Sequence, residues 1–68
     1  MKTRIKEFRA RQNFTQQDLA QRVDVTRQTI LYIERGEYYP SLLLALKICK
    51  ILKCSVEELF IPDNEELK

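Results

Sequence analysis

Between Leu42 and Leu52 nine of eleven residues are apolar, interrupted only by Lys47 and Lys50. Ser41 stands just before the run as an N-cap, so the segment predicts a helix over about 42–52. A helix that is apolar nearly all round must be covered nearly all round. The whole chain has 68 residues. A domain of that size buries roughly 60% of the surface its unfolded chain exposes and has little protein to spare for wrapping one helix. The run therefore predicts an α-helical core plus an isologous contact with a second copy of the chain. Leu43 and Ile51 of this helix, with Phe60 and Ile61 beyond it, are the expected interface. The alternative is one chain with a single uncovered apolar patch.

The remaining segments also read as helices, and no stretch alternates with a period of two. The fold class is all-α, a single domain of five helices. The first helix spans about 2–12, capped by Thr3, with Ile5 and Phe8 inward. Thr15 caps a second over about 16–23, with Asp18 in its first turn and Leu19, Ala20 and Val23 inward. Thr26 caps a third over about 27–35, with Ile30 and Ile33 inward, and Gly36 supplies its left-handed stop. Ser55 and Glu58 form a capping box for a short fifth helix over about 56–60. Ile61 and Pro62 end it, and residues 61–68 read as a frayed acidic tail. The second and third helices, three or four residues apart, have helix-turn-helix spacing. Ala20 is small enough to let them cross closely.

Charge and composition narrow the function classes. Residues 1–35 carry eight basic and four acidic side chains, a net +4, whereas residues 36–68 carry four basic and six acidic, a net −2. That asymmetry suggests a polyanion-binding face at one end. There is no histidine and there are two cysteines, too few ligands for a structural zinc site. No nucleophile–base pair or phosphate-cradling glycine loop is present, so an enzyme is not expected. No cofactor, metal or small-molecule ligand is expected. No apolar run approaches the roughly 20 residues of a membrane span, and a cytoplasmic location is expected. Cys49 and Cys54 read as small buried hydrophobes.

The run from Phe14 to Gly36, the following Tyr38-Tyr39-Pro40-Ser41 with Leu42 to Ile48, and Ser55 to Phe60 together resemble the phage repressor/Cro-like (XRE-type) helix-turn-helix regulators. The resemblance covers about residues 4–60. It implies a lambda-repressor-like domain whose helix-turn-helix spans about 16–35, in a minimal subgroup that dimerises without a further domain. Members often carry glycine at the positions of Asn13, Asp24 and Lys53, where left-handed turns occur. Asn and Asp tolerate that conformation, and Lys does so less well. Leu43 and Tyr39 depart from the acidic residue and Asn common in the family.

The resemblance also implies roles. Arg27, Gln28 and Tyr32 would contact bases, and Leu31 could meet a thymine methyl. Arginine can bind guanine and glutamine adenine in bidentate fashion, and such contacts come from the start of a recognition helix. Arg27 is otherwise misplaced, because a cation in the first turn of a helix opposes its dipole. Gln16, Gln17, Arg35 and Tyr39 would contact the DNA backbone, with Gln16 also bracing Gln28. Arg9 and Glu34 would form a partly buried pair. Arg11 and Arg22 read as surface charge. The expected function is sequence-specific binding of double-stranded DNA by a homodimeric transcription regulator, a repressor on a palindromic operator. The alternative is an antitoxin-like or anti-regulator module that uses the scaffold to dock a protein.

Overall fold

The helices begin where the sequence places its caps. In the computed structural model, which describes residues 1–68, the Thr15 hydroxyl accepts from the Asp18 amide (3.0 Å) and the Thr26 hydroxyl from Thr29 (3.2 Å). Ser41 accepts from Leu44 and Ser55 from Glu58, each at 3.1 Å. The carboxylates of Asp18 and Glu58 reach back to the amides of Thr15 and Ser55, so both ends are capping boxes. The order of elements is β1 (Lys2–Thr3), α1 (Ile5–Arg11), α2 (Gln16–Arg22), α3 (Arg27–Glu34), α4 (Leu42–Leu52), α5 (Val56–Leu59) and β2 (Phe60–Ile61).

The helices also stop alike. Asn13, Asp24, Gly36 and Lys53 all have left-handed φ, between 58° and 74°. One residue later the chain bonds back into the helix: Phe14 to the Arg9 carbonyl, Val25 to Ala20, Glu37 to Tyr32 and Cys54 to Cys49. This six-residue closure satisfies carbonyls that the last turn leaves unpaired. Four helices in succession are therefore ended by one device, with glycine supplying only one of the four left-handed residues.

The core is the set of residues the helical spacing turns inward. Ile5, Leu19, Ile30, Ile33, Ile48, Leu52 and Leu59 are fully buried. Each such side chain contributes roughly 1.5–3 kcal/mol. Ala20 is also fully buried, in the helix of the pair expected to cross closely. No helix is long and apolar enough to cross a membrane.

Two expectations are corrected. The chain is not purely helical, because β1 and β2 pair antiparallel, Lys2 opposite Ile61 and Thr3 opposite Phe60. Strands of two residues are too short to leave a period in a sequence. The ribbon displaces the start of α1 to Ile5, so Thr3 caps nothing. Its hydroxyl instead donates to the Glu34 carbonyl at 3.3 Å. Nor is the tail simply frayed. Asp63 Oδ1 accepts from the Glu66 amide (2.9 Å) and Glu66 Oε1 from the Asp63 amide (3.0 Å). Glu66 also pairs with the Met1 ammonium at 3.1 Å and accepts from the Tyr39 hydroxyl.

Candidate nucleic-acid interface

The helix-turn-helix is α2, the turn Val23 to Thr26, and α3. Ile30 and Ile33 bury one side of α3. At 100° per residue, Arg27, Gln28, Leu31, Tyr32 and Arg35 then share the opposite side. Arg27, Gln28 and Arg35 are exposed, Tyr32 is 38% exposed and Leu31 is half-buried. None of the five ion pairs of the chain includes Arg27 or Arg35. The first turn of α3 contains no acid. Arg27 thus places an unpaired guanidinium at the positive end of a helix, where only an anion or an acceptor-rich edge compensates it. Gln28 Nε2 donates to the Tyr32 hydroxyl one turn on, at 3.0 Å. That bond fixes the side-chain amide on the exposed face.

Gln16 sits differently from expectation. Its amide donates to Glu34 Oε1 (3.1 Å), not to Gln28. The same carboxylate accepts from Arg9 Nε (2.7 Å) and Nη2 (3.3 Å), while Arg9 Nη1 donates to the Phe14 carbonyl (3.0 Å). Arg9 and Glu34 have only 13% and 11% of their side chains exposed. This network ties α1, the start of α2 and the end of α3 together and so fixes how α3 is presented. Gln17 is exposed beside it. Arg11 and Arg22 lie over the Phe8 and Phe14 rings, 4.4 and 4.3 Å from their centroids. They cover apolar surface as much as they carry charge.

Of the residues expected to meet a second chain, Leu43 is 64% and Ile61 42% exposed, and Ile51 is half-buried. Phe60 is 8% exposed. It packs into the core of its own chain because β2 turns it inward, which leaves little of it for an interface. Leu42 and Leu46, 73% and 49% exposed, flank Leu43 on the outer side of α4, which also carries the exposed Lys47 and Lys50. Their i, i+4 spacing marks them in the sequence as further candidates. Tyr39 is 58% exposed, but its hydroxyl is already engaged by Glu66. That partner is 27 residues away, and nothing local in the sequence announces it. Both cysteines are free thiols, Cys49 buried and Cys54 half-buried. Burial pushes both thiols up, Cys49 to about 11.

A two-helix unit held rigid from behind, with an unpaired arginine and an oriented glutamine on the outer face of its second helix, defines a helix-turn-helix DNA-binding domain. The helix-turn-helix family model matches residues 5–59, and the chain belongs to this family, in its Cro/C1-type branch. The chain is 55% identical over 67 residues to an uncharacterized HTH-type transcriptional regulator of Archaeoglobus fulgidus, covering 98% of this chain and 94% of the relative. It is 51% identical over 65 residues to the uncharacterized HTH-type transcriptional regulator YgzD of Bacillus subtilis, covering 96% and 98% of the two chains. Among solved structures it is similar to the restriction-modification controller protein C.AhdI of Aeromonas hydrophila. The TM-score is 0.75 at 32% identity, over 84% of this chain and 86% of that one. The protein is a DNA-binding transcription regulator.

Proposed function

We propose that this regulator is a repressor that binds a palindromic operator as a homodimer in the cytoplasm. The observation that carries the proposal is the outer face of α3, where Arg27 is unpaired and Gln28 is held by Tyr32. Arg27 would read a guanine and Gln28 an adenine in the major groove. Leu31 would add apolar contact with a thymine methyl, and Tyr32 would stand one turn behind. Gln16, Gln17, Arg35 and Tyr39 would set the register against the phosphates.

We base the proposed dimer contact on α4. Leu42, Leu43 and Leu46 leave exposed leucines on its outer side, edged by the exposed Lys47 and Lys50, and Ile51 and Ile61 are further candidates. A two-fold contact there would carry two α3 helices to successive major grooves, about 34 Å apart. The dimer would act by occupying an operator that overlaps a promoter.

Selection from a randomised duplex pool at physiological salt, followed by sequencing of the bound fraction, tests the proposal. Enrichment of a palindrome with half-sites about 10 base pairs apart is the expected result. Weak binding without sequence preference, lost as salt rises, would leave only a polyanion-binding face and overturn it.

A further inference from the structure

The C-terminal turn and the connection between α3 and α4 meet at one hydrogen bond. The Tyr39 hydroxyl donates to Glu66 Oε2. A phenol has a single O–H to give. A phosphate oxygen offers only acceptors, so it needs the O–H that Tyr39 already gives to Glu66. We propose that Glu66 makes an autoinhibitory contact, in which the C-terminal turn competes with a DNA phosphate for the Tyr39 hydroxyl. This inference rests on the DNA-binding function proposed above, in which Tyr39 faces the DNA backbone.

Three features make Glu66 an effective competitor. It is seated, because its other oxygen accepts from the Asp63 amide at 3.0 Å and pairs with the Met1 ammonium at 3.1 Å. The turn that carries it is closed by the reciprocal Asp63–Glu66 bonds, which brace the segment from within. Its charge also persists: the hydrogen bonds from Tyr39 and Asp63 and the Met1 ammonium hold its carboxyl down at about 2. A bound phosphate would therefore displace a formal anion. DNA binding and docking of the 63–66 turn exclude one another at this residue. Anything that captures or removes the turn would raise the affinity for DNA.

The test uses the full chain and a duplex taken from the selected pool, with affinity read by fluorescence anisotropy at fixed salt. Glu66→Ala is expected to bind roughly three- to tenfold more tightly than the unaltered chain, the scale of one exposed hydrogen bond. The gain is expected to vanish when Tyr39→Phe is added. Glu65→Ala removes a neighbouring charge that pairs only with Lys68, at 3.4 Å, and is expected to change little. Equal affinity of Glu66→Ala and the unaltered chain would overturn the proposal. So would a gain that survives Tyr39→Phe, or one that Glu65→Ala reproduces, since either would mark general repulsion. If Arg27→Ala weakens binding while Glu66→Ala leaves it unchanged, the DNA-binding function stands and this contact alone fails. If the unaltered chain selects no duplex, both fail together.

Discussion

Arg9 grips Glu34 with two nitrogens, Nε at 2.7 Å and Nη2 at 3.3 Å, and so fastens α1 to the last turn of the helix expected to read DNA. Gln16 adds a third donor to the same carboxylate. Glu34→Ala leaves a largely buried guanidinium unpaired and is expected to cost about 3 kcal/mol. That is a large share of the stability of so small a domain. Glu34→Gln retains acceptors and is expected to cost less. Urea denaturation of the two variants measures the difference, and equal midpoints for both and for the unaltered chain would show the pair to be without structural weight.

Lys53 has a φ of 58° at the end of α4. A side chain with a Cβ is strained there, and glycine is not. Lys53→Gly is expected to raise stability by about 1 kcal/mol, seen as a higher melting temperature. Gly36 is the converse case. A Cβ there would meet the Met1 carbonyl oxygen at 2.2 Å as well as a φ of 74°, so Gly36→Ala is expected to lower the melting temperature.

The Cys49 thiol, pushed up to about 11 by burial, ties stability to alkaline pH with a definite sign. Burial favours the neutral thiol. Below the ordinary thiol value near 9 both folded and unfolded chains hold the proton, and stability does not change. Between about 9 and 11 the unfolded chain ionises while the folded chain does not, so stability falls as pH rises. Denaturation series across that window should show the loss, and Cys49→Ala should reduce it, leaving the part that the raised Cys54 thiol contributes. At neutral pH, iodoacetamide should modify Cys49 only slowly, because the thiolate is the reactive form. Mass spectrometry reads that rate.

Arg27→Ala should weaken binding to the selected duplex by about 1–3 kcal/mol and relax preference at one base pair. Equilibrium binding to duplexes altered one base pair at a time checks both. Undiminished affinity would remove Arg27 from the recognition face.

Leu46→Glu places an acid among the exposed leucines of α4 and should shift the chain toward monomer in sedimentation equilibrium. Leu43→Glu should act in the same direction. An unchanged association constant for both would locate any dimer contact elsewhere.

Most of the fold was legible because its signals are local. Thr15, Thr26, Ser41 and Ser55 announce helix starts within three residues, and Gly36 announces a stop, whereas the left-handed turns at Asn13, Asp24 and Lys53 were legible only through the resemblance. The inward positions follow from spacing alone. What escaped notice joins distant parts of the chain. Thr3 reads as a cap and is instead a strand residue beside Phe60. Gln16 was expected to turn toward Gln28 and turns to Glu34. Tyr39 and Glu66 carry no mutual signal at all. The outer face of α3 was legible in composition and position, whereas the hold of Tyr32 on Gln28 shows only in the folded chain.

The β1–β2 ribbon also has a place in time. α2, α3 and α4 each carry their own start and stop and can form from neighbours in sequence, whereas Lys2 must find Ile61 across nearly the whole chain. Closing a loop of that length costs roughly 3–4 kcal/mol of chain entropy. A two-residue pairing cannot offset this until the helices have already drawn the ends together. The ribbon is therefore the last part to zip up and the first to breathe. Its amides should exchange with solvent well ahead of those in α2 and α4.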